Sequence, residues 1–115
     1  MTTNYDGIYL AYFTAEFGTS LGMFVFKDGA VTGADIGGAR YSGKLTLSDD
    51  GKFLSGEIGI SMSEGGQTIT GAVSDLPVSY ETSVTLALPL EDQPFHSIPT
   101  RTGTVNVRFE RTVDL

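Results

Sequence analysis

The sequence predicts an all-β chain, an antiparallel up-and-down β-barrel of seven to eight strands with little helix. Apolar and polar residues alternate with a period of two along most of its length, which sends successive side chains to opposite faces of a sheet. Turn pairs punctuate those runs at Asp28-Gly29, Asp50-Gly51 and Gly65-Gly66, and glycine with Asp or Asn supplies the positive φ that two-residue hairpins need. No stretch shows a convincing helical period. An open sheet with one apolar face would leave that face wet and its edges unpaired, so it should curl and close.

Residues 1 to 5 read as a short mobile tail. From Gly7, Ile8, Leu10 and Tyr12 alternate with Tyr9, Ala11 and Phe13, so both faces of the first strand are apolar or aromatic. Glu16 to Ser20 is the first turn. In the next strand, Leu21, Met23 and Val25 alternate with Gly22, Phe24 and Phe26 in the same two-sided way. One face packs the core and the other needs a cover, which a second copy of the chain, or a helix or long loop of the same chain, can provide. The expectation is a homodimer with Tyr9, Phe13, Met23 and Phe24 at its interface. Which face points inward stays open at this level.

Asp28-Gly29 joins Leu21–Lys27 to a third strand, Ala30–Asp35. Tyr41 to Ser48 alternates cleanly as a half-buried strand. After Asp50-Gly51, Leu54, Gly56, Ile58, Ile60 and Met62 share one face. Gln67 to Val73 reads as a further strand, and Tyr80, Thr82, Val84, Leu86 and Leu88 form the longest period-two run. Pro89, Pro94 and Pro99 lack backbone donors and exclude a central strand, so Pro89 to Thr102 reads as one long connection. Val105, Val107 and Phe109 line the inner face of the last strand. The interior is expected to be filled, or nearly so, by Leu54, Ile58, Ile60, Tyr80, Val84, Leu86, Val105, Val107 and Phe109.

With 115 residues, the chain is read as a single domain, residues 1–115, large enough to bury roughly two thirds of its unfolded surface. It has no cysteine, which excludes disulfides and thiolate chemistry and fits a reducing cytoplasm. Neither a signal peptide nor an apolar membrane span is visible. The net charge of −7 argues against direct nucleic-acid binding, which rests on Lys and Arg neutralising phosphates. From Phe53 to Thr100 there are six acids and no Lys or Arg. Such a segment on one side of the molecule would attract a basic protein.

Catalytic signals are weak. The lone His96 stands in the proline-rich stretch without a framed nucleophile, and it is read as an exposed or loop-packing residue. Lacking cysteine and a second histidine, the chain offers no transition-metal set. Asp49-Asp50 and Glu91-Asp92 are carboxylate neighbours that point apart in extended chain, so they suit an acidic surface better than an acid/base couple. No phosphate-loop spacing is present and no cofactor is expected. Asp28 and Gly29 have a structural loop role. Asp35 among small residues fits either an acceptor for loop backbone donors or a ligand contact. Tyr9 is placed to stack beneath Arg108 or Arg111 of the last strand.

The N-terminal half, residues 6 to about 62, resembles the GrlR-like family of type III secretion negative regulators and their bacterial relatives. The resemblance lies in Asp6-Gly7-Ile8-Tyr9, Gly22 with Phe24-Val25-Phe26-Lys27-Asp28-Gly29, Gly33-Ala34-Asp35 followed by Tyr41-Ser42-Gly43, and Gly51-Lys52. It implies a small lipocalin-like (calycin-like) barrel that dimerises and represses by binding a transcriptional activator through an acidic Glu-Asp-Glu-Asp surface motif. The chain departs from that pattern by having only Asp49-Asp50 and Glu91-Asp92, and by Ala34 where a second glycine is expected. The resulting expectation is a non-enzymatic, cytoplasmic interaction protein with a basic regulatory partner on Asp49, Asp50, Glu91 and Asp92. A barrel that carries or senses a small apolar ligand is the other reading.

Overall fold

A computed structural model describes residues 5–15, 18–62, 78–100 and 103–115. Its strands are β1 (Gly7–Ala15), β2 (Gly18–Lys27), β3 (Ala30–Asp35), β4 (Arg40–Leu47), β5 (Phe53–Met62), β6 (Val78–Ala87), β7 (His96–Thr100) and β8 (Gly103–Asp114), with a 3₁₀ turn at Leu90–Asp92. All eight form one sheet in the order β6-β5-β4-β3-β2-β1-β8-β7, and every pairing is antiparallel. The sheet rolls until β6 and β7, its two margins, lie side by side, making the all-β up-and-down barrel that the alternation implies.

Hairpin chemistry sets the register. Asp28 has φ 52° and Gly29 φ 83°, the double positive φ of the turn whose twist matches its strands. Lys27 therefore faces Ala30 and Phe24 faces Gly33. A Cβ on Gly33 would sit 2.6 Å from the Phe24 ring, so glycine is what lets that ring lie flat across β3.

Three expectations change. Pro89 to Thr102 is not one connection, because it contains the 3₁₀ turn and then the five-residue β7. Proline is tolerated there since β7 ends the ladder and Pro99 has no backbone donor to leave unpaired on its free side. Tyr5 is not part of a loose tail: it is buried, and its carbonyl accepts the Tyr9 hydroxyl at 2.7 Å. The first turn is shorter than Glu16–Ser20, since β2 already begins at Gly18. The strand expected at Gln67–Val73 lies outside the described residues.

Tyr9, Ala11, Phe13, Phe24 and Phe26 point inward and are buried, which settles the face of β1 and β2. They meet Leu54, Ile58, Ile60, Val84, Leu86, Val105, Val107 and Phe109 in a single core. Phe26, Tyr9 and Phe109 pack edge to face, with centroids 5.2 to 5.9 Å apart, contacts that add about 0.5–1.5 kcal/mol each to plain burial. A cavity of about 70 Å³ remains at the half of the barrel lined by Tyr41, Tyr80, Ile98 and Thr100. The interior is thus nearly filled, well short of the roughly 300–1,000 Å³ typical of pockets for drug-sized ligands. No helix among the described residues is long and apolar enough to cross a membrane.

Candidate functional site

In an up-and-down barrel, alternate connections fall at the same end. The start of β1, the β2–β3 turn, the β4–β5 turn, the Leu90–Asp92 turn and the end of β8 therefore share one pole. Backbone bonds tie these segments together: Leu88 N–H donates to the Lys52 carbonyl at 2.9 Å, Leu45 N–H to Gly29 at 2.7 Å, and Leu115 N–H to Asp6 at 3.4 Å. This pole gathers Asp28, Asp49, Asp50, Glu91, Asp92 and Asp114, against Lys27, Lys52 and Arg111. The two carboxylate pairs singled out from sequence thus come to one end of the molecule, from turns two strands apart. Counting strands along the sequence does not reveal this, because the further strand expected at Gln67–Val73 puts three strands between the two pairs, where the described strands between them are β5 and β6 alone.

Each acid at the pole has a distinct setting. Asp49 and Asp92 are exposed. Asp50 shapes its own turn: Oδ1 accepts the Ser48 hydroxyl at 2.6 Å and the Lys52 N–H at 3.0 Å, and the Ser48 bond, then the Lys52 bond, hold its pKa below the ordinary carboxylate range. Beneath the turns, the buried Asp6 accepts the Asp28 N–H at 3.2 Å and lies 3.8 Å from Lys27 Nζ, so it anchors the β2–β3 hairpin from below.

Glu91 belongs to a network that seals the pole. Arg111 Nε lies 3.0 Å from Glu91 Oε2, and its Nη1 lies 3.1 Å from Asp114 Oδ1. The same guanidinium donates to the Tyr9 hydroxyl from Nη2 at 2.6 Å and from Nε at 3.0 Å, and stands 5.2 Å from that ring's centroid. Burial raises the Tyr9 pKa, the hydrogen bond from Arg111 only partly opposing it. Arg108 stacks at 4.3 Å over Tyr12 instead, on the outside. His96 is buried in β7, with Nε2–H donating to the Leu90 carbonyl at 3.1 Å and its ring 5.4 Å from Phe109. It is neither exposed nor in a loop. Burial lowers its pKa, and the bond to Leu90 counters this in part.

The outer face of β1 and β2 is the second surface feature. Register places Ile8 beside Val25, Leu10 beside Met23 and Tyr12 beside Leu21. Met23 is 51 % exposed and Ile36, just beyond the end of β3, 78 %. Of the residues expected at a dimer interface, Met23 alone lies on this face. Tyr9, Phe13 and Phe24 are inside the barrel, covered by the chain itself, because their parity matches the core. Ile8, Leu10 and Tyr12 are the outward residues of β1 that the sequence left undecided.

At the opposite pole, Asp35 Oδ1 accepts the Gly37 and Ala39 N–H groups at 2.9 and 3.1 Å, and Oδ2 accepts the Tyr41 hydroxyl at 2.6 Å. The carboxylate organises the β3–β4 turn. Burial, then the bond to Asp35, raises the pKa of Tyr41 far above its ordinary value. Among the described residues, no group of three His, Cys, Asp or Glu side chains converges on a metal position. No family model matches the chain, and the comparisons with curated proteins and with solved structures returned no match either.

Proposed function

We propose that the chain is a non-enzymatic interaction protein that presents its acidic pole to a basic partner protein and pairs with a second copy of itself through the outer face of β1 and β2. The observation that carries this is the gathering of Asp28, Asp49, Asp50, Glu91 and Asp92 at one end of the barrel. Carboxylates pooled this way raise the local potential and steer a cationic surface toward them. The resemblance to GrlR-like negative regulators supports a transcriptional regulator as that partner and a cytoplasmic setting. Here the acidic surface is assembled from separate turns in place of a continuous Glu-Asp-Glu-Asp run.

A second copy suits the β1–β2 face for a reason of charge. The centre of that face is uncharged, and Arg108 and Glu110 flank it on β8, so a two-fold axis can set each arginine against the other copy's glutamate. A basic partner has no comparable attraction there. The nearly filled interior supports an interaction role over that of a carrier for larger ligands.

The partner half is tested by capture from the host's lysate on immobilised barrel at low and high salt. A basic protein that is retained at low salt, released at high salt, and lost with Asp49→Lys/Asp92→Lys is the expected result. Retention that ignores both salt and the double variant sinks it. For the dimer, Met23→Asp is expected to halve the mass seen by light scattering, whereas a wild-type chain that is already monomeric removes that half alone.

A further inference from the structure

The cavity has walls of aliphatic and aromatic carbon, with Phe13, Phe24, Leu45 and Val84 among them. Three hydroxyls of its lining are turned elsewhere: Tyr41 bonds Asp35, Thr82 bonds the Pro99 carbonyl and Thr100 bonds the Gly103 carbonyl. A space with so few polar partners stays dry, and an engineered dry cavity of roughly 150 Å³ takes up benzene or xenon. At about 70 Å³, this one is around half that size.

The barrel wall is not equally strong all round. Seven of its junctions carry backbone ladders, and β6 against β7 has none among the described residues. Pro99 lacks the N–H that a ladder would use, and the Thr82 hydroxyl crosses to its carbonyl instead. Both sides of this seam line the cavity, with Thr82 and Val84 on β6 and Ile98 and Thr100 on β7. The acidic pole offers no easier route, because Arg111, Glu91 and Tyr9 close it.

We propose that the cavity binds one compact, uncharged apolar molecule, up to the size of a single aromatic ring, and that the molecule enters between β6 and β7. Xenon fits the space as it stands, and benzene needs the seam to widen. The proposal goes beyond the partner-protein reading and stands or falls separately from it.

Methyl NMR of the whole chain under xenon pressure, and then with benzene, tests it. Saturable shifts confined to methyl groups of the cavity lining, those of Leu45, Val84 and Val105 among them, are expected with both probes. Val84→Phe fills the space and should abolish them, with Val105→Leu as a milder filler that weakens them should the first not fold. Thr82→Val keeps the side chain's shape and removes the bridge, so benzene exchange should quicken about fivefold, the effect of losing one ordinary hydrogen bond from the closed state, with little change in affinity. No saturable shift from either probe, or shifts that survive a folded Val84→Phe, overturns the site. A site that is present but exchanges at the wild-type rate in Thr82→Val overturns the seam as its entrance.

Discussion

At Tyr9 a single hydroxyl donates to the Tyr5 carbonyl and accepts from two Arg111 nitrogens. Tyr9→Phe removes these bonds with little change in volume, and is expected to cost about 1 kcal/mol by chemical denaturation. Arg111→Met is the harsher change, at about 2–3 kcal/mol, because it leaves the hydroxyl and Glu91 without their cation. His96 gives the pH dependence its sign. Its folded pKa lies below that of the unfolded chain, about 6.5, so the unfolded state takes up the proton first. The stabilising contribution is full above that value and declines as pH falls from there toward the folded pKa. Denaturation midpoints at pH 7.5 and 5.5 should therefore differ, and His96→Gln should shrink the difference. That Tyr9 meets an arginine of the last strand was legible in the residue types. That it is Arg111 and not Arg108 was not, because Arg111 shares the inward parity of Val105, Val107 and Phe109, and the two apolar faces of β1 left open whether Tyr9 points that way.

Among the elements, β2 and β3 were the most legible and carry the sharpest test. Both residues of their turn need positive φ, so Gly29→Ala should cost about 1 kcal/mol or more. Gly33→Val should cost more still, since its Cβ would meet both the Phe24 ring and the Met23 carbonyl at 2.6 Å. Thermal melting of the two variants checks the order. The strand β7 was hidden by its Pro99 and by Pro89 and Pro94 before it, which mark a boundary without saying whether the chain beside it is a loop or the last strand of a ladder. Inward and outward faces of β1 and β2 were hidden for the opposite reason. Alternation identifies the buried face only when the other face is polar, and here Leu10 and Met23 are as apolar as Ala11 and Phe24.

For the molecule as a whole, closure and the filled interior followed from the sequence, because a sheet this apolar on one face has few other ways to bury it. The acidic pole did not follow from any single stretch. It arises from the parity of the turns, which carries Asp49 and Glu91 to the same end although they belong to separate segments. The opposite pole is a different surface, with Asp35 and Tyr41 spent on holding a turn. The two surfaces of the proposed function, the acidic pole and the outer side of β1 and β2, are separate, so the Asp49→Lys/Asp92→Lys and Met23→Asp variants address separate regions of one molecule.

Neighbouring strands from β1 to β6 follow one another directly along the chain, whereas β1 and β8 meet across a separation of 102 residues at Tyr9 and Arg111. Local hairpins close small loops cheaply, and the distant pairing bears the largest entropic cost. The clasp between first and last strands should thus form late, after the folding barrier. In stopped-flow chevrons, Arg111→Met is expected to steepen the loss of the native state, raising the unfolding rate, while refolding proceeds at close to the wild-type speed.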